Sequence, residues 1–456
     1  MIAAPAFSTT TLDWLKEVFS QHADATALCW DEREISYAAL LHRLSYWDAS
    51  LEAMNVLSGE VVALEGDFTP ETIALMLSLV SRGCIIVPHN IANTQERVYR
   101  FETAAVERWF SVNADDAVTY GHFASRVEHA FYQTLRDRCH PGLVLFTSGS
   151  SGKPKAAVHD FTGLLEKFTT PRRALKTLNF LLFDHWGGLN TLFHTLSNGG
   201  TVIPVFNRNP EEVCALIERH RIELLPASPT FFNLLLLSGA HVRHDLSSLQ
   251  SISYGTEPMT ESTLARVREA FPNVRLHQTY GLIELGVLRS RSKDDGSLWV
   301  KVGGDGYETR IVDNLLQIKA QSAMLGYLNA ASPFTSDGWF MTGDAVEVDG
   351  EFIRIRGRKS EMINVGGDKV APSEVESVIQ ELDNVAEVLV FGEKHPLVGN
   401  IVCANVRLIA PEDAKDFGRR LRKFCSGRLQ KYKVPVKVRL VEGEQHTNRF
   451  KKIRVR

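Results

Sequence analysis

Four apolar residues, Leu143 to Phe146, run directly into Thr147-Ser-Gly-Ser-Ser-Gly-Lys-Pro-Lys155. This junction constrains the fold more than any other part of the chain. A short continuous apolar run reads as a buried strand. A second apolar stretch, Ala156-Ala-Val-His159, follows at once. The Ser/Gly segment between them is therefore a loop on the end of a sheet rather than a free linker. Glycine lets backbone approach a polyphosphate closely, Thr147, Ser148, Ser150 and Ser151 offer hydroxyls, and Lys153 and Lys155 offer positive charge. The segment, with Gly149 and Gly152 as its glycines, reads as a phosphate cradle with ATP as the expected ligand. It is not a Walker loop, which needs glycine five residues before Gly152 and Ser or Thr after the lysine. Thr147 and Pro154 stand there instead.

The surrounding pattern predicts an α/β layered architecture. Helical spacing covers Leu12 to His22, Ser36 to Met54 and Thr69 to Arg82, with strands at Val61 to Glu65 and Gly83 to Pro88. Later come helices at Pro210 to His220 and Pro229 to Leu237, and strands at Leu224-Leu225 and Ser251 to Tyr254. After Tyr307 the texture changes to short alternating strands separated by turns such as Asp313-Asn314 and Asp349-Gly350. From Gly357 it becomes a helix (Ser373 to Leu382), two strands (Val385 to Phe391, Ile401 to Leu408), a helix (Pro411 to Leu429) and a strand (Val436 to Leu440). We expect a large N-terminal domain over 1–357, with a β-rich subdomain at about 308–357, and a small mobile α+β lid over 358–456.

With 456 residues and 44% hydrophobic content, the chain can bury more than one core. A net charge of −3, with acids and bases well mixed, argues against nucleic acid or an anionic membrane as partner. Six cysteines without metal-ligand spacing read as reduced, mostly core residues, and neither a signal peptide nor a run of about 20 apolar residues appears. The expected location is the cytoplasm.

Further strings follow the phosphate segment in order: Tyr280-Gly-Leu-Ile-Glu284, Leu325-Gly-Tyr327, Gly338-Trp-Phe-Met-Thr-Gly-Asp344, Gly357-Arg358, Gly366-Gly367 and Pro372-Ser-Glu-Val-Glu376. Together with Thr147 to Lys155, they resemble the signatures of the adenylate-forming superfamily of acyl-CoA synthetases, luciferases and amino-acid adenylation domains. The resemblance spans nearly the whole chain and is closest in style to short acyl- and aryl-CoA ligases. It implies an AMP-forming acid:thiol ligase. A carboxylate is first activated by ATP as an acyl-adenylate with release of pyrophosphate. The acyl group then passes to the thiol of coenzyme A or of carrier-protein phosphopantetheine.

The resemblance also implies roles. The loop from Thr147 to Lys155 would hold the β and γ phosphates, and Glu284 would coordinate Mg2+. Tyr280 would stack on adenine, with Gly255-Thr256-Glu257 on the other face and Thr279 and Gly281 beside it. Asp344 would accept the ribose hydroxyls with support from Arg358. Lys452 would contact the carboxylate and α-phosphate; the family has glycine before that lysine where this chain has Lys451, so Lys451 is the second candidate. The lid would turn about Ser360. Ile283 stands where the family usually carries threonine.

The resemblance further implies that the acid binds between Phe183-Asp-His-Trp-Gly-Gly188 and the strand ends near Tyr254, Gly255 and Thr279 to Leu282. His185 with Gly188 resembles the His-x-x-Gly of acyl- and aryl-CoA synthetases. Phe183-Asp184 resembles the Phe-Asp of amino-acid adenylation domains, where the aspartate meets the substrate ammonium. An inward Trp186 would narrow the pocket and favour a small or flat acid. Two alternatives remain: a stand-alone amino-acid adenylating enzyme serving a carrier protein, and a degenerate homologue that binds nucleotide without catalysis.

Overall fold

The computed structural model describes residues 11–90, 94–123, 128–147, 153–304, 306–447 and 450–453. Two seven-stranded sheets form the large domain. The first runs in the order Arg275–Gln278, Ser251–Tyr254, Leu224–Ala227, Lys176–Asn179, Thr201–Pro204, Thr26–Trp30, Arg33–Ser36. Its neighbours are parallel except for the closing hairpin. The second runs Gly326–Tyr327, Lys155–Asp160, Gly142–Thr147, Ile85–His89, Val61–Glu65, Arg108–Val112, Val118–His122. Strand Gly142–Thr147 pairs antiparallel with Lys155–Asp160, Thr147 opposite Lys155, so the phosphate segment is the connection at the end of this pair. Its residues 148–152 lie outside the described residues.

The helix Pro70–Ser81 is buried on nearly every side, as expected of a helix with apolar residues all round. Thr69 caps it and Pro70 occupies its first turn, where the missing N–H costs nothing. Asn209 and Ser228 cap Pro210–His220 and Pro229–Ser238 with the same proline placement.

The six-stranded antiparallel sheet begins earlier than position 308, because Ser290–Ser292 and Trp299–Val302 join it before Tyr307–Val312. It ends with Phe352–Arg358, and the turn Lys359–Glu361 leads into the C-terminal unit. There the helix Pro372–Gln380 and the helix Ala414–Ser426 pack on a five-stranded sheet around an apolar core of their own. The last helix is shorter than its apolar spacing suggested, because Asp413 accepts from the N–H groups of Lys415 and Asp416 and starts it there.

The C-terminal unit rests on the large domain through named contacts. Thr260 donates to Gln380 at 2.9 Å, and Asn233 donates to the Ala386 carbonyl at 3.0 Å. Among the described residues, no helix is long and apolar enough to cross a membrane.

Candidate active site

The strand Phe340–Asp349 places Asp344 opposite Arg358 of the neighbouring strand. The Arg358 guanidinium stands 3.2 Å from one carboxylate oxygen, and the Tyr280 hydroxyl donates to the other at 2.6 Å. Burial pushes the Asp344 carboxyl up, while Arg358 and the Tyr280 hydrogen bond pull it back. Burial and then Asp344 hold the Tyr280 phenol far above its ordinary range, so it stays a donor. The Tyr280 ring lies in an apolar cluster, and its hydroxyl ties the Thr279–Gly281 segment to the Asp344 carboxylate.

Beside this pair, the hairpin Gly281–Leu282 with Gly286–Val287 carries Glu284 between its strands. The Tyr327 hydroxyl donates to one oxygen of Glu284 at 2.5 Å, and burial, then Glu284, raises that phenol. The Lys155 ammonium lies 5.3 Å from the centre of the Tyr327 ring. Two side chains anchor the exit of the phosphate segment: Tyr99 and Asn329 both donate to the Pro154 carbonyl, at 3.1 and 2.9 Å. Lys153 is exposed beside them. Tyr99 and Asn329 have no motif of their own and were not legible as site residues, whereas Tyr327 belonged to a recognised string without a role.

Gly255 and Thr256 follow strand Ser251–Tyr254. A Cβ on Gly255 would lie 2.5 Å from Thr279 Oγ1 and 2.8 Å from the Thr279 carbonyl, so only glycine fits. Thr256 adopts φ 72, costly for a β-branched residue, and its buried hydroxyl has no partner among the described residues. Tyr254 is 2% exposed in an apolar cluster, so its side chain is core and its carbonyl is what the segment uses, accepting from Thr279.

A narrow cleft opens beside Thr256. Phe180, Leu181 and Leu182 form its apolar wall, and His185, Arg208, Phe450 and Lys451 complete it. His185 caps the helix Trp186–Leu196 by accepting the Gly187 N–H on Nδ1 at 3.0 Å, which leaves Nε2 as the protonated nitrogen of the neutral ring. Burial lowers the Arg208 guanidinium against the pull of Asp67 and Asp184.

Several expected placements change. Lys452 turns away from the cleft: its ammonium lies 2.7 Å from Glu376, which is 1% exposed. Its N–H donates to Glu257, whose other oxygen accepts from the Thr230 N–H. Glu257 thus ties the C-terminal segment to the helix Pro229–Ser238. The physical cause is the turn ending at Phe450, which adopts φ 51, a conformation natural to glycine; the next residue, Lys451, is the one delivered to the cleft.

Asp184 is 2% exposed and ion-paired to Arg100, itself buried, at 2.9 Å. Asp184 therefore already has a cationic partner from the protein itself. Trp186 does not border the cleft; it is 2% exposed, packed against Phe161 at 6.1 Å between ring centres. A Cβ on Gly188 would collide with the Leu182 carbonyl and lie 2.6 Å from that of Leu181, so Gly188 serves close backbone packing. Leu282 and Ile283 pack partly buried against apolar clusters. Ser360 is exposed in the turn Lys359–Glu361, between the two domains.

Among the described residues, no cluster of three or more His, Cys, Asp or Glu gathers to hold a metal. Glu284 stands as a single carboxylate with one oxygen on Tyr327. That fits Mg2+, which keeps several waters and binds through one or two carboxylates plus substrate phosphates.

Residues 15–339 match the family described as AMP-binding enzyme, and residues 374–451 match the AMP-binding enzyme C-terminal domain. Indoleacetate–CoA ligase of Aromatoleum aromaticum is 27% identical, with 93% of each chain covered. The 2-succinylbenzoate–CoA ligase of Listeria monocytogenes is 25% identical, covering 94% of this chain and 95% of the relative. In three dimensions the chain is similar to the anthranilate CoA ligase AuaEII in complex with anthranoyl-AMP. The TM-score is 0.83 at 20% identity, with 98% and 96% of the two chains covered.

Proposed function

The chain belongs to the AMP-binding enzyme family, and on that premise we propose that it activates a small carboxylic acid with ATP and transfers the acyl group to coenzyme A. The observation that carries this reading is the arrival of Lys451, from the C-terminal domain, in the same cleft as His185 and Thr256 of the large domain. Attack of a carboxylate on the α-phosphate accumulates negative charge, and a preorganised cation with hydroxyl and imidazole donors stabilises that charge. We assign this role to Lys451 in place of Lys452. The Thr256 hydroxyl, without a partner among the described residues, suits a substrate oxygen.

Asp344 and Arg358 would take the ribose, with Tyr280 fixing the orientation of the carboxylate. Lys155 and the loop before it would hold the outer phosphates. Glu284 would bind the Mg2+ that accompanies ATP and screens its phosphate charge. After pyrophosphate leaves, the C-terminal domain would turn at Ser360 and bring the Gly366-Gly367 face to the cleft, with Lys451 withdrawn. Coenzyme A is the acceptor favoured by the named relatives, and a carrier-protein phosphopantetheine is the chemical equivalent. The cytoplasm supplies both ATP and either thiol.

The test is acid-dependent pyrophosphate release from ATP, without thiol, across aryl, short aliphatic, dicarboxylic and amino acids. Thiol-dependent AMP release with the active acid follows. Release with simple acids, and none with amino acids, supports the reading. Release confined to amino acids overturns it in favour of amino-acid adenylation.

A further inference from the structure

The cleft that holds Lys451 takes part of its apolar lining from the C-terminal domain. Phe450 borders it next to Lys451, together with Phe180, Leu181 and Leu182 of the large domain. The centre of the Phe450 ring lies 5.4 Å from that of Phe180 and 5.6 Å from that of Phe231, to which it stands nearly perpendicular. Both partners are buried in the core of the large domain. On its other side Phe450 is braced by His446, whose ring stacks on it at 5.3 Å and is held by Glu387 of the C-terminal sheet.

The backbone disfavours the side chain it carries here. Phe450 adopts φ 51, where a bulky residue is an outlier and glycine is at ease. Such strain persists only where surrounding contacts hold it, and it gathers at ligand clamps. Two hydrogen bonds close the turn: the Phe450 N–H donates to the Thr447 carbonyl, and the Thr447 N–H donates to the Lys451 carbonyl, each at 2.8 Å. Phe450 and Lys451 are therefore carried into the cleft on one closed turn. The rest of the lining, His185, Arg208 and Thr256, is polar, so the cleft has a polar part that includes Lys451 and an apolar part that includes Phe450.

We propose that Phe450 is a specificity-determining residue, a wall of the acid pocket that the C-terminal domain supplies in the same movement that delivers Lys451. The substrate class is then a compact carboxylic acid with a flat apolar body. Its carboxylate lies among the polar residues and its body against the Phe180 and Phe450 rings. Aromatic rings attract one another beyond the area they bury, an attraction that a saturated ring does not share. A longer body meets Phe450 and keeps the turn, and Lys451 with it, from seating. Size is thus sensed in the adenylation step itself. This inference rests on the acid-activation reading above.

The experiment measures pyrophosphate release with benzoic acid, with 2-naphthoic acid, which is one ring longer, and with cyclohexanecarboxylic acid, which is of similar size but not flat. The proteins are the wild type, Phe450→Gly, which suits the backbone and removes the wall, and Phe450→Leu, each shown to be folded by its unfolding midpoint. Misplacement of Lys451 slows every acid alike, so the readout is the ratio of kcat/KM between acids. We expect the wild type to prefer benzoic acid over both others by about tenfold or more. Phe450→Gly should lose or reverse the preference over 2-naphthoic acid, and Phe450→Leu should lose chiefly the preference over cyclohexanecarboxylic acid. Equal ratios in all three proteins overturn this inference alone and leave Phe450 as packing between the domains. Release by the wild type only with acids that lack an apolar body also overturns it alone. Absence of release with every acid, aryl, aliphatic, dicarboxylic or amino, overturns the activation reading and this inference with it.

Discussion

The ion pair between Arg100 and Asp184 separates two roles for one carboxylate, and its removal has a calculable cost. Arg100 and Asp184 are 4% and 2% exposed, with the guanidinium 2.9 Å from the carboxylate. Arg100 also reaches Glu96 one turn earlier and lies over the Phe146 ring at 5.3 Å, immediately before the phosphate segment. Arg100→Met keeps most of the side-chain volume and removes the cation. Breaking a buried pair costs about 3–5 kcal/mol. Arg208 also attracts Asp184 and offsets part of the loss, so the lower end, about 3 kcal/mol, is expected. With a urea slope of about 3 kcal/mol/M, the unfolding midpoint followed by tryptophan fluorescence should fall by about 1 M. The double variant Arg100→Met/Asp184→Leu leaves no stranded anion and should regain most of the loss. Acid activation in the double variant should persist, because neither group meets substrate. A midpoint unchanged in Arg100→Met, together with amino-acid activation that Asp184→Asn destroys, would refute the reasoning and return Asp184 to the substrate.

Three further outcomes are expected. Lys451→Ala should lower the adenylation rate by about 10²–10³, as for other lost transition-state donors, and Lys452→Ala by less than tenfold; single-turnover pyrophosphate release distinguishes them, and the reverse order would return the role to Lys452. Gly188→Ala should destabilise by about 2–3 kcal/mol, because its Cβ meets fixed backbone carbonyls, and should raise KM for the acid; an unchanged midpoint in urea contradicts the packing role. His446 donates from Nδ1 to the Glu387 carboxylate at 2.7 Å, which raises its pKa against the opposing effect of burial. A raised folded-state value means that the contact stabilises fully below the unfolded value of about 6.5 and is lost as pH rises through the folded one. The wild-type midpoint should therefore fall over that window relative to His446→Gln, and parallel curves would exclude the linkage.

The strands on either side of residues 148–152, the capped helices and the strand starts were legible because local chemistry suffices for them. Proline in a first turn, a hydroxyl or amide before it and an apolar run after it act over a few residues. Val61–Glu65, Pro210–His220 and Ser251–Tyr254 have the bounds their patterns predict. The resemblance put Asp344 and Arg358 at one expected site, but the hydrogen bond from Tyr280 to Asp344 was not legible in the sequence.

What local pattern could not decide is which side of a turn a charge faces and what meets it there. Lys451 and Lys452 are identical in type and adjacent, and the left-handed backbone at Phe450 sends one to the cleft and the other to Glu376, 76 residues away along the chain. Asp184 reads equally as substrate partner or core anion until Arg100, 84 residues distant, is brought to 2.9 Å. Lys167 carries no motif; only the packing of Asn190, Trp186 and Val287 around it turns an ordinary lysine into a buried one. Composition and periodicity determine which segments become helix, strand and loop, because those preferences are set by neighbours in sequence. The pairing of charges depends on neighbours in space, so the tertiary structure alone assigned them.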